Sequence, residues 1–235
     1  MGIIIDRCAD AVIFSTLDEL KIEYYKSANI EKIYKPVNTH PDMQIHFISN
    51  DYAIVAPCVY EYYRTILPAE VRLQKGESDP DGKYPGDVLY NIAKVGNHII
   101  GNFKYTDKVL LQIYRERGFK FINVKQGYAK CNLCVVDDNS VITEDEGIFN
   151  TLKAFGMDVL LIFSKEVSLN GFPNGFIGGA SGFIKNNTLA FCGDLSTHNE
   201  FLKIKSFIEE RKVNIKCLSS TKMCDLGSIL YFNVN

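Results

Sequence analysis

Apolar residues recur along this chain in two alternating periods, a helical one and then short runs of the kind strands use. On residues 107–117, Leu110, Ile113 and Tyr114 share one helical face; on 198–211, Phe201, Ile204, Phe207 and Ile208 do so, while Lys205 and Glu209 take other faces. Segments 17–28, 59–67 and 144–155 complete five predicted helices, about 40–55 residues apart. Each leads into an apolar, β-branched stretch, at 30–34, 69–73, 119–124, 157–163 and 213–218, that predicts a covered strand.

Upstream of the helices, polar dipeptides interrupt pairs of short apolar runs and predict turns between two strands: Ala9-Asp10, Asn50-Asp51, Gly96-Asn97, Asp138-Asn139 and Asn186-Asn187. Residues 88–95 and 98–101 typify such a pair. Thr16, Thr143 and Thr197, each followed three residues later by Glu19, Glu146 or Glu200, predict capping boxes at three helix starts. Gly118, Gly156 and Pro68 mark helix ends.

The chain therefore reads as five strand–strand–helix–strand units, approximately 1–36, 37–75, 84–125, 126–168 and 176–218, in one domain spanning 1–235. A strand at 226–233 has no unit of its own, and pairing it with the N-terminal strand closes a ring without exposed sheet edges. The expected class is an α/β propeller of ββαβ units with five-fold pseudosymmetry, closed by its N- and C-terminal strands. The competing arrangement is a layered α/β sandwich.

Composition narrows the function. Apolar residues make up 46% of the 235, enough to fill a core. The 26 Lys+Arg and 28 Asp+Glu are interspersed and create no basic field for nucleic acid. No apolar run approaches the ~20 residues of a membrane helix, and no signal segment opens the chain. Seven cysteines, an odd number, predict reduced thiols and a cytoplasmic setting.

The repeat and its closure resemble the pentein superfamily, which includes arginine and agmatine deiminases, dimethylarginine dimethylaminohydrolases, amidinotransferases and the ribosome anti-association initiation factor. The resemblance spans nearly the whole chain and is that of a minimal, single-domain bacterial branch. It implies chemistry at a guanidine or amidine carbon, with a cysteine nucleophile, a histidine and acidic residues around the axis. The stretch where that cysteine would close a glycine-rich motif reads Met223-Cys224-Asp225-Leu226-Gly227-Ser228-Ile229-Leu230-Tyr231, with Tyr231 near its place. The stretches equivalent to the histidine, Lys130-Cys131-Asn132 and Ser181-Gly182-Phe183, contain none.

Ring closure still gathers the starts of equivalent strands at one axis. The expected lining is Asp42, Gln44, Asp87, Lys130, Cys131, Asn132, Ser181, Cys224, Asp225 and Ser228. Three aspartates together would repel one another and favour a cationic guanidine- or amine-containing ligand, whose planar donors match carboxylates. Cys224 and Cys131 are the candidate nucleophiles, being beside polar residues. Cys8, Cys58 and Cys192 border elements and read as packing residues. His46, His98 and His198 are candidate bases, and His40 precedes Pro41 in a loop.

Cys131 and Cys134, three apart in a strand, would face opposite ways, so no metal site is expected, and no cofactor motif is present. The glycines of 175–182 lack the Lys-Ser/Thr and following helix of a phosphate loop and predict close backbone packing. The Gly-, Asp- and Pro-rich loop 75–86 lies where it could cover the axis. Tyr24, Tyr25, Tyr60, Tyr62 and Tyr63 offer either core or a homodimer surface. Three readings stay open: a binder of a cationic small molecule, a divergent cysteine hydrolase of guanidines or amides, and a non-enzymatic protein-interaction scaffold.

Overall fold

The computed structural model describes residues 1–185 and 187–234. Five three-stranded sheets surround one axis. The second unit shows the pattern: β3 (Ile45–Ser49) runs antiparallel to β4 (Tyr52–Val55), and helix α2 (Tyr60–Ile66) then crosses to β5 (Arg72–Lys75), parallel to β4. The third unit repeats it with β6 (Ala93–Val95), β7 (His98–Gly101), α3 (Lys108–Glu116) and β8 (Lys120–Asn123). The short helix α4 (Ala129–Asn132) opens the fourth, followed by β9 (Cys134–Val135), β10 (Ser140–Thr143), α5 (Glu146–Ala154) and β11 (Asp158–Leu161). The fifth contains β12 (Ser181–Lys185), β13 (Thr188–Phe191), α6 (Phe201–Glu209) and β14 (Asn214–Cys217).

The first unit is assembled from both ends of the chain. Strand β1 (Gly2–Ile5) leads through α1 (Ala11–Glu19) to the parallel β2 (Tyr24–Lys26), and its leading strand is β15 (Leu230–Phe232), antiparallel to β1 with Ile3 opposite Tyr231. Around the axis β15 touches both β3 and β12, and β12 touches β9. The closed α/β propeller is therefore as the repeat predicts, and the layered sandwich is excluded.

The elements have local causes. Asp107 caps α3, its Oδ1 accepting from Val109 N at 2.9 Å, and Leu110, Leu111 and Tyr114 bury one face. Helices α3 and α5 end into Gly118 and Gly156, at φ 73° and 78°.

The three capping boxes do not form. Thr16 lies inside α1, Asp145 rather than Thr143 caps α5, and Thr197 lies in a 3₁₀ turn whose cap is Asp194. The first unit is also earlier than expected. Helix α1 starts after Asp10 and ends at Glu19, with Lys21 just beyond it at φ 54°, so β2 falls at 24–26 and residues 30–34 form a turn in which Ile33 N donates to Ile30 O. The Ala9-Asp10 pair therefore opens a helix instead of joining two strands. Of the expected Asn186-Asn187 turn, Asn186 lies outside the described residues. Among the described residues no helix is long and apolar enough to cross a membrane.

Candidate functional site

Five-fold repetition places one short segment ahead of each leading strand, and these segments meet on the axis. A 3₁₀ turn over Pro41–Met43 presents Asp42, the chain before β6 presents Asn91, and α4 presents Cys131. The glycine stretch before β12 presents the Gly178 carbonyl, and the chain before β15 presents Ser228. These groups are buried and bonded to one another. The Cys131 thiol donates to Asp42 Oδ2 at 3.1 Å, and Asn91 Nδ2 donates to Cys131 Sγ at 3.1 Å. Ser228 Oγ lies 2.8 Å from Asp42 Oδ2 and 3.0 Å from the Gly178 carbonyl, and accepts from Lys130 Nζ at 3.0 Å.

Burial, reinforced by the fields of Asp42 and Asp225, pushes the Cys131 thiol well above its ordinary pKa. Cys131 is therefore a neutral donor in the free protein.

Beside this cluster lies a line of acids and one imidazole. Asp225 Oδ1 accepts from Gly227 N at 3.0 Å and Oδ2 from Phe176 N at 2.9 Å. His40 sits between two carboxylates, with Nδ1 3.8 Å from Asp225 Oδ1 and Nε2 3.8 Å from Asp6 Oδ2. Burial raises both Asp225 and Asp6 above the usual carboxylate range, and His40 opposes the rise in each.

A cavity of about 370 Å³ opens onto these groups. Tyr84, Tyr128, Phe172 and Phe176 wall it, with Cys131, His40 and Asp225 among its lining. The rings of Tyr84 and Tyr128 lie 5.7 Å apart, and exposed Tyr34 meets Phe172 edge-on at 5.5 Å. A second, more polar cavity shares His40, Leu169 and Asp225 with the first and adds Arg7, Lys35 and Cys224.

The expected lining is thus divided. Asp42, Lys130, Cys131 and Ser228 come together, with Asp225 beside them. Asp87 does not join the other aspartates: its Oδ2 accepts from Tyr128 OH at 2.6 Å and fixes a cavity wall. Gln44 is fully enclosed, its amide spent on Ala28, Asn38 and Tyr63, so it braces the 28–38 loop instead of facing a ligand. Asn132 Nδ2 donates to the carbonyl of Tyr128, the residue that opens α4. Ser181 is buried, its Oγ turned to the Gly178 carbonyl at 3.5 Å. Cys224 is half-buried on the neighbouring cavity, away from the Asp42 cluster.

Of the histidines, His46 is held neutral, its pKa lowered to about 3 by burial, and contacts Tyr114 OH at 2.6 Å. His198 Nδ1 accepts from Glu200 N at 3.1 Å. Two central residues were not anticipated, Asn91 and His40. The spacing to the leading strand would have identified Asn91, two residues before β6 as Ser228 is two before β15.

Several solved structures share the fold, these three among them. The dimethylarginine dimethylaminohydrolase of Pseudomonas aeruginosa, a cysteine-to-serine mutant complexed with citrulline, is 11% identical with a TM-score of 0.57, covering 93% of this chain and 92% of its own. The amidinotransferase SxtG from Microseira wollei is 12% identical (TM-score 0.56), covering 93% and 88%. Inosamine-phosphate amidinotransferase StrB1 from Streptomyces griseus is 10% identical (TM-score 0.57), covering 94% and 78%. At these identities the likeness is one of fold alone, a pentein-like ββαβ propeller. No curated protein sequence matches the chain. With residues 4–230 matched by the model of DUF6873, a family of unknown function, the chain belongs to that family.

Proposed function

We propose that the aromatic-walled cavity binds a small organic cation bearing a guanidinium, amidinium or amine, and that the protein acts as a binder. The observation that carries this reading is Asp225, a buried carboxylate at the end of an aromatic pocket, balanced by two backbone N–H groups and an imidazole 3.8 Å away. A cation there would offset the field of Asp225 and Asp42 while the rings of Tyr128 and Phe176 cover its faces. The fold relatives named above, a dimethylarginine dimethylaminohydrolase and two amidinotransferases, are consistent with such a ligand. The polar axis counts against a pure interaction scaffold.

Titration calorimetry with arginine, agmatine and benzamidine tests the reading. At least one is expected to give a saturable heat, with binding weakened about tenfold or more in Asp225→Asn, since a charge-assisted bond contributes about 1.5–3 kcal/mol. Because burial raises the Asp225 pKa, binding should also release protons and weaken as pH falls. No saturable heat with any of the three would sink the proposal.

Cys131 favours a second reading, a cysteine hydrolase, because its thiol lines the same cavity and already donates to Asp42. Sγ would bond to the amidine carbon as its proton passes to Asp42, the carbon–nitrogen bond would break with that nitrogen leaving protonated, and water would then hydrolyse the carbon–sulfur adduct. The arriving cation would lower the thiol pKa that burial raises. Under this reading Cys131→Ser abolishes ammonia or amine release and Cys224→Ser does not. Loss in Cys224→Ser alone transfers the role to that residue, and equal turnover in both variants excludes each.

A further inference from the structure

The axis of the propeller is blocked part-way along. Cys131 lines the aromatic-walled cavity, whereas its partner Asp42 lines a separate cavity of about 580 Å³, walled by residues of all five leading strands. The Asp42–Cys131 pair is the partition between the two.

Asp42, Ser181 and Lys130 are in the lining of this 580 Å³ cavity. Asp42 Oδ1 is buried without a hydrogen-bond partner among the described residues. Lys130 Nζ is an ammonium with three N–H bonds, of which one reaches Ser228 Oγ at 3.0 Å. A strong acceptor and spare donors therefore lie side by side, both tied to Ser228. An unmade bond to a buried carboxylate oxygen is costly, and a ligand donor would relieve it.

The charges around the cavity cancel: Lys94, Lys130 and Lys185 stand against Asp42, Asp137 and Asp138, and His46 adds no charge. Arg211, 3.8 Å from Asp137, pairs more closely with Asp158 and does not change that balance. Lys130 and Lys94 are the half-buried cations of the lining that a ligand carboxylate can meet.

We propose that this cavity is a second ligand site, taking a small hydroxy- or amino-carboxylate whose hydroxyl or ammonium donates to Asp42 Oδ1 and whose carboxylate meets Lys130. The proposal does not depend on the reading of the aromatic-walled cavity, and the two sites can be occupied at once.

The test is calorimetric titration of the intact protein with L-malate, L-aspartate and succinate. Malate or aspartate is expected to saturate, with succinate, which has no donor for Asp42, about fivefold or more weaker. Lys130→Met should weaken binding about tenfold, and Lys94→Met about threefold by loss of one lining ammonium that attracts the ligand carboxylates. Phe172→Ala, on the aromatic-walled cavity, should leave malate binding unchanged. Where circular dichroism shows Lys130→Met unfolded, Lys94→Met decides. The proposal is overturned by the absence of saturable heat from all three probes, by wild-type affinity in Lys94→Met, or by loss of malate binding in Phe172→Ala. Arginine titrated into Lys94→Met reports separately on the other site.

Discussion

Gly179→Ala is expected to destabilise the protein by about 3 kcal/mol or more, an unusually large effect for one added methyl. A Cβ at this position would overlap the Asp225 carboxylate, with Oδ2 at 2.6 Å. Neither side can give way cheaply. The carboxylate is held by Gly227 N at 3.0 Å and Phe176 N at 2.9 Å, and moving it would strand a buried charge. Gly179 is fixed as well: its N–H donates to the Cys131 carbonyl at 2.8 Å, and its carbonyl accepts from Leu226 N at 3.1 Å and Ser228 N at 2.8 Å. The added volume must therefore displace the Cys131 and Ser228 segments together. Urea unfolding should show a lower midpoint at an unchanged slope, and Asp225→Gly in the Gly179→Ala background should recover part of the loss. A midpoint equal to wild type for Gly179→Ala would mean that the carboxylate is not packed against this backbone.

The same glycine shows what was legible in advance. A glycine-rich stretch ahead of a leading strand reads as close backbone approach, and the closely approaching group is the Asp225 side chain. The repeat was readable because α3 and α6 place apolar residues at helical spacing and Gly118 and Gly156 end their helices openly. The first unit was displaced because Thr16 and Glu19 imitate a capping box inside α1, while Lys21 takes the left-handed conformation without being a glycine. Asn91 was hidden because 88–92 is as apolar as a strand, yet the ladder begins only at Ala93. His40 looked like a loop residue. Its burial comes from Gly227, at φ 67°, whose missing side chain leaves the space that His40 fills, a contact between residues far apart in sequence.

A second large effect should appear in the pH dependence of stability. Glu144 is pushed up to about 7 by burial, although Ile177 N donates to its Oε2 at 3.2 Å; its Oε1 is buried with no partner among the described residues. In the unfolded chain the same carboxyl titrates near 4.5. Between these two values the folded state holds a proton that the unfolded state has lost, so this group's contribution to stability is greatest below pH 4.5 and declines as pH rises through 7. Each pKa unit is worth about 1.4 kcal/mol, and partial exposure reduces the total to about 1–3 kcal/mol. Burial raises Asp6, Asp87 and Asp225 in the same direction, whereas His46, lowered to about 3, acts oppositely between that value and 6.5. A difference measurement separates Glu144 from these. Glu144→Gln keeps an acceptor for Ile177 N and carries no charge, so the stability gained over wild type should be smallest near pH 4.5, grow through pH 7 and then level off. A gain that is the same at pH 5 and pH 8 in urea unfolding would show that Glu144 ionises in the folded protein as it does in the unfolded chain.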